Sequence, residues 1–166
     1  MTSAARERTL TEWVVLGLLA EAPAHGFSLT RLLAPGGEIG RVWAASRPLT
    51  YRAIDQLAQD DLIVTAGTES GRGPRRTLHE LTPEGRAALR GWLRAPVSRF
   101  RDVRAELLVK LVLLERSDRP STTLLAAQRR TFAPLLAQVR SLPATDPVSR
   151  WRKAQAEAIA GFLELR

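Results

Sequence analysis

The stretch "SRPLTYRAIDQLAQDDLIVTAGTESGRGPRRTLHELTPEG", residues 46–85, decides the fold because its hydrophobic period changes partway. On a helical wheel of about 100° per residue, Thr50, Tyr51, Ile54, Leu57 and Ala58 gather on one side. Arg52, Asp55, Gln56 and Gln59 fall on the other. Pro48 lies in the first turn, where proline is favoured, with Ser46 or Arg47 as cap and an end near Asp60. The segment "LIVTA" (62–66) is rich in β-branched residues, "GTESGRGPRR" is turn chemistry, and "TLHEL" (77–81) is a returning strand. "TPEGRAALRGWL" then restarts a helix, with Thr82 as N-cap, Pro83 at the first helical position and Glu84 in the first turn.

Working outward, a helix is expected over about Arg8–Glu21, burying Leu10, Trp13, Val14, Leu18 and Leu19 and stopping before Pro23. A second starts near His25, carries Phe27, Leu29, Leu32 and Leu33 inward, and ends at "PGGEIG". Helix, helix, helix, hairpin, helix is the order of a winged helix-turn-helix. The remainder is helical. Residues 102–116 put Val103, Leu107, Leu108, Leu111 and Leu114 on one stripe. Residues 121–142 place Leu125, Gln128, Phe132, Leu135, Val139 and Leu142 at heptad spacing. Residues 147–165 align Trp151, Ala154, Ala158, Phe162 and Leu165, and Pro134 is expected to kink or split the helix that holds it. The fold class is mainly α with a small β-hairpin. A winged helix-turn-helix domain occupies 1–95 and a helical dimerisation domain 96–166.

Apolar residues make up 45% of the 166, as in a globular chain and unlike a disordered one. With no cysteine there is neither a disulfide framework nor a thiolate metal site. The N-terminal apolar run is broken by Glu12 and Glu21, is too short to span a bilayer and has no secretory cleavage pattern, so no membrane partner and a cytoplasmic location are expected. The formal charge is +8, but residues 1–95 carry 12 arginines against 10 acids and so contribute only +2. Local clustering matters more than the total: Arg41, Arg47 and Arg52 form one acid-free group, and Arg72, Arg75 and Arg76 another.

A helix with such an outward face fits a major groove. Arg52 has the fork that reads guanine O6 and N7, and Gln56 the amide that reads adenine N6 and N7. The helix N-terminus favours a phosphate, helped by Ser46, Arg47 and Thr50. Three arginines on a Gly/Pro hairpin repel one another unless a phosphate backbone lies between them. The candidate DNA-binding residues are Ser46, Arg47, Thr50, Tyr51, Arg52, Gln56, Arg72, Arg75 and Arg76. The candidate dimer residues are Leu125, Gln128, Phe132, Leu135, Val139, Trp151 and Phe162. A two-fold dimer implies a pseudo-palindromic operator in double-stranded DNA. Against an enzyme, the only histidines are His25 and His79, neither with a ligand partner at metal spacing, and no P-loop lysine follows Gly71 and Gly73. No cofactor and no metal are expected. The rival reading is a winged helix used for protein contacts alone.

The blocks "LGLLAEAPAHGFSLTRLL" (16–33), "YRAIDQLAQDDLI" (51–63) and "GRGPRRTLHELTPEGRAALRGWL" (71–93) resemble the PadR family of bacterial transcriptional regulators. "VSRFRDVRAELLVKLVLLE" (97–115) and the two helices after it are similar to the larger branch of that family, with a helical C-terminal dimerisation domain. The resemblance implies a homodimeric repressor, released from DNA by a small effector that is in several members aromatic. Trp92, Phe100, Val103, Leu107 and Trp151 are candidates to line such an effector cavity, with plain core as the favoured role. Thr50 stands where the family usually has leucine, Asp61 where it has glycine, and His79 where it has an aromatic residue. Asp61 is expected to take the left-handed conformation that ends the helix.

Overall fold

Apolar stripes buried against one another explain most elements of the chain. The structure, a computed structural model, describes residues 6–69 and 76–164, which fall into two compact units, Met1–Trp92 and Leu93–Arg166. The first unit holds α1 (Leu10–Glu21), β1 (Ala24–His25), α2 (Gly26–Leu33), α3 (Arg47–Gln59), β2 (Ile63–Glu69), β3 (Arg76–Leu81) and nearly all of α4 (Pro83–Arg94). Its sheet is antiparallel in the order β1-β3-β2, with Ile63 opposite Leu81, Thr65 opposite His79, and an irregularity between Thr65 and Gly67. The third strand, β1, is two residues long, too short to announce itself by alternation. It sets Ala24 beside His79 and His25 beside Leu78, so the chain's two histidines meet on neighbouring strands.

Helix α1 is capped by Thr9, whose side chain accepts from the Glu12 amide, and buries every residue from Val14 to Leu19. Buried Glu12 is paired, because Arg6 grips its carboxylate through both terminal nitrogens at 2.8 and 3.2 Å. Trp13 stacks flat on Trp92 with centroids 5.1 Å apart. In α2 the inward residues are Leu29 and Leu33, one turn apart. Phe27, expected inside, is exposed, since a residue two positions from Leu29 lies across the helix from it.

The end of α3 and the start of α4 are one interlocked joint. The Leu62 amide bonds to Leu57 O at 2.9 Å and the Asp61 amide to Ala58 O at 3.1 Å, a Schellman closure with Asp61 at φ 56°. The left-handed aspartate expected at this position is what the chain uses. The Thr82 hydroxyl donates to Asp61 O at 2.8 Å and accepts from the Gly85 amide at 3.0 Å, which makes Thr82 both a tie and an N-cap. Gly85 has no substitute: a Cβ there would stand 2.1 Å from Leu62 O.

In the second unit the expected helix over 102–116 is three pieces: a 3₁₀ turn (Phe100–Asp102), a π turn (Val103–Leu107) and α5 (Leu108–Arg116). The wider π turn shifts the helical phase. Val103, Leu107 and Leu114 are buried as expected, but Val109, Lys110 and Leu113 take the other inward places and leave Leu108 and Leu111 half-buried. Lys110 donates to Ala95 O at 2.8 Å and Glu106 Oε1 at 2.6 Å. Burial pushes its pKa down against the pull of Glu106. Helix α6 (Thr122–Ser141) runs unbroken through Pro134, so of the kink or split expected there the split does not occur; the proline removes one internal hydrogen bond on an exposed face. Helix α7 (Pro147–Glu164) buries Ala156, Ile159, Ala160 and Leu163. The stripe read from the spacing, Trp151, Ala154, Ala158 and Phe162, is the opposite, exposed face, and Leu165 lies outside the described residues.

Candidate nucleic-acid interface

Helix α3 packs through Thr50, Ala53, Ile54 and Leu57. Ala53 replaces Ala58 in the expected set: it lies about 40° from Leu57 on the wheel, whereas Ala58 is exposed. Thr50 is fully buried and its hydroxyl donates to Ser46 O at 3.1 Å. It is therefore a packing residue that closes the first turn, with nothing left for a phosphate. The Ser46 side chain makes no capping hydrogen bond and, like Arg47, is exposed at the helix entrance.

The outward face carries Arg52, Asp55 and Gln59, all exposed; Arg52 and Asp55 make no hydrogen bond or ion pair with any described residue. Gln56 differs. Its Nε2 donates to Asp60 Oδ1 at 3.2 Å, and Asp60 Oδ2 in turn accepts from Arg6 Nη2 at 2.9 Å. A carboxylate only accepts, so the amide nitrogen of Gln56 is fixed toward Asp60 and its oxygen turns away. The Arg6–Glu12–Asp60 chain thus ties the segment before α1 to the end of α3.

Tyr51, half-buried at the edge of the face, lies against Gly26, where a Cβ would come within 2.8 Å of the ring. That contact is the reason for glycine in "HGF". The Arg47 guanidinium sits 5.6 Å from the Tyr51 ring centroid, over its face. Next to Tyr51 is a cavity of about 340 Å³ lined by His25, Phe27, Asp55, Thr77 and His79. The His25 Nδ1 lies 3.1 Å from Thr77 O. Burial pushes His79 below its ordinary pKa; neighbouring Asp55 opposes the shift and His25 adds to it.

Arg72 and Arg75 lie outside the described residues, as does the side chain of Arg76, whose backbone opens β3 opposite Glu69. In the second unit Leu125, Gln128 and Phe132 are buried within the protomer. Gln128 accepts from Val97 N at 2.8 Å and donates to Val97 O at 2.9 Å, and Phe132 meets Phe100 edge-on at 4.9 Å. These three build the unit's own core and have no surface to offer a second chain. Leu135 and Val139 are half-buried; Trp151 is 67% and Phe162 37% exposed. Of the residues considered for an effector cavity, Val103 and Leu107 are core, Trp92 is stacked on Trp13, and Trp151 faces outward. The second unit instead has an open groove of about 940 Å³, walled by Leu108, Leu111, Val112, Leu125 and Phe162, with Glu115, Asp118, Arg119 and Arg129 also in its lining. Among the described residues no cluster of three carboxylates or histidines is arranged to hold a metal, and no helix is long and apolar enough to cross a membrane.

Residues 15–91 match the model of the transcriptional regulator PadR-like family. Among solved structures, Bacillus subtilis PadR in complex with operator DNA is 18% identical, with 96% of each chain covered and a TM-score of 0.53. The same protein with p-coumaric acid is 17% identical over 94% of this chain and 95% of that one, TM-score 0.48. The PadR-like regulator BC1756 from Bacillus cereus is 16% identical over 98% of this chain and 96% of its own, TM-score 0.47. No curated protein matches in sequence. The first of these likenesses is one of fold; the family model rests on the unit that contains α3. Residues 15–91, the greater part of the first unit, are thus similar to the PadR-like family of transcriptional regulators.

Proposed function

We propose that the protein is a homodimeric, cytoplasmic repressor that lays α3 in the major groove of a pseudo-palindromic operator, with the hairpin arginines on the flanking phosphates. One observation carries the reading: Arg52 stands exposed on the outward face of α3 with no partner among the described residues. An arginine with no described partner keeps its fork for guanine O6 and N7. Ser46 and Arg47, exposed at the start of the helix, are suited to a phosphate there. Arg72, Arg75 and Arg76 supply sequence-independent attraction. That the related B. subtilis protein binds operator DNA through the same fold supports this use of α3.

The apolar outward stripe of α7, from Trp151 to Phe162, is the surface we assign to the dimer. It leaves large apolar side chains in water unless a second copy covers them. The groove beside α5 and α6 is the candidate effector site, with an apolar wall suited to an aromatic body.

The test is an electrophoretic shift on DNA upstream of the gene across a range of salt. If a dimer neutralises about six to eight phosphates, log K falls against log salt with a slope of roughly −5 to −7. A flat response sinks the reading and favours a winged helix used for protein contacts.

A further inference from the structure

Resting on the regulator reading above, we propose that Asp55 is a base-reading residue, whose carboxylate accepts from the amino group of a cytosine next to the guanine read by Arg52.

The starting point is an anomaly of charge. Asp55 lies on the outward face of α3, one turn from Arg52, exposed and without a hydrogen bond or ion pair to any described residue. An uncompensated carboxylate on a surface that meets a polyanion weakens every non-specific encounter. Among the described residues no cation is paired with it. The titratable groups that face it are His79 on β3 and His25 on β1, and burial holds His79 toward its neutral form. Arg52 forms no ion pair with it. The face is also unlike the joint at the end of the same helix, where the carboxylate of Asp60 is neutralised by Arg6.

Base chemistry then narrows the partner. In the major groove guanine offers two acceptors, thymine one, and adenine an acceptor beside its donor; cytosine alone offers a donor with no acceptor of its own. A carboxylate has only acceptors, so it is attracted most to cytosine, less to adenine, whose N7 acceptor stands beside its donor, and is repelled by guanine and thymine. The spacing is suitable as well. Three residues of helix rise about 4.5 Å, and base pairs on one strand are about 3.4 Å apart, so Arg52 and Asp55 reach adjacent or next-adjacent pairs. The face therefore presents a donor fork and an acceptor side by side, and the acceptor gains specificity by penalising wrong sequences.

The experiment is selection from a randomised DNA library with the full-length protein and with Asp55→Ala and Asp55→Asn, followed by titration on the selected site and on random DNA. For Asp55→Ala the expected result is a divergence. Preference for cytosine at one position falls about tenfold, while affinity for random DNA rises about threefold at low salt. Asp55→Asn is expected to move the preference at that position toward adenine, which offers the donor and acceptor that an amide needs. Wild-type protein with a clear site whose preferences neither variant alters would overturn the assignment and leave the regulator reading intact. Equal loss on both DNAs would overturn it too, by making Asp55 structural. A wild-type protein with no sequence preference would take down both readings.

Discussion

Helices α3 and α7 solve the same problem in opposite ways. Each buries one stripe in its own unit and leaves the other face outward. In α3 the inward stripe is Thr50, Ala53, Ile54 and Leu57 and the outward face is polar, so polarity alone tells which way the helix turns. In α7 both faces are apolar: Ala156, Ile159, Ala160 and Leu163 go in, while Trp151, Ala154, Ala158 and Phe162 stay out. Period says which residues travel together. It does not say which group faces the core when a second chain can serve as the other solvent. The contrast is the basis on which we propose α3 as a surface for a charged partner and α7 as a surface for an apolar one.

The strongest way to break that contrast is to attack a residue on its inner side. Phe132 is fully buried against Phe100. Phe132→Ala is expected to cost about 3–5 kcal/mol of unfolding free energy in urea, as for large aromatic truncations in packed cores. A loss below about 1 kcal/mol would mean that this residue is not core, and would reopen its place on a dimer seam. Its counterpart on the outer side is Trp151. Trp151→Glu is expected to leave each protomer folded by circular dichroism but to shift the dimer to monomer on a sizing column. By analogy with buried tryptophan anchors the association loses about 2–4 kcal/mol. If the variant stays dimeric, the outward stripe of α7 is not the interface.

Much of the fold was legible because turn chemistry and period agree along residues 46–85. Thr82, Pro83 and the left-handed Asp61 occupy the places their chemistry demands. What was hidden depends on contacts between distant residues. The π turn at Val103–Leu107 has no local signature, so the inward places of α5 went to Val109, Lys110 and Leu113. A buried lysine is unreadable in sequence until a carbonyl and a carboxylate are seen to receive it. At the candidate interface Arg52 was visible as an outward arginine, whereas the commitment of Gln56 to Asp60, and of Asp60 to Arg6, needed the packing of α1 on α3. Thr50 was misread for the same reason: its hydroxyl is spent one turn back, on Ser46 O.

A finer test sits on α3 and the hairpin. Arg52→Ala is expected to weaken binding to the selected operator by about 1–3 kcal/mol more than to random DNA, because a bidentate base contact disappears. Arg75→Ala is expected to weaken both equally and to reduce the salt slope by about one. Equal losses from Arg52→Ala would make it a phosphate contact, and the polar face of α3 would then carry orientation without sequence.

The smallest expected effect concerns the floor beneath that face. His79 is held below its ordinary value of 6.5 chiefly by burial, with His25 acting in the same sense and Asp55 against it. The unfolded chain therefore takes up a proton more readily than the folded one as pH falls through the ordinary histidine range. Stability follows the sign of that difference: it is complete above about pH 6.5 and declines as the pH drops below it. Amides of β3 are accordingly expected to exchange faster, after correction for intrinsic rates, at about pH 5.5 than at about pH 7.5. His79→Phe removes the titrating ring while keeping an aromatic side chain on the strand, and should flatten that dependence. A dependence that persists in full in His79→Phe would show that burial of the His79 ring is not its cause.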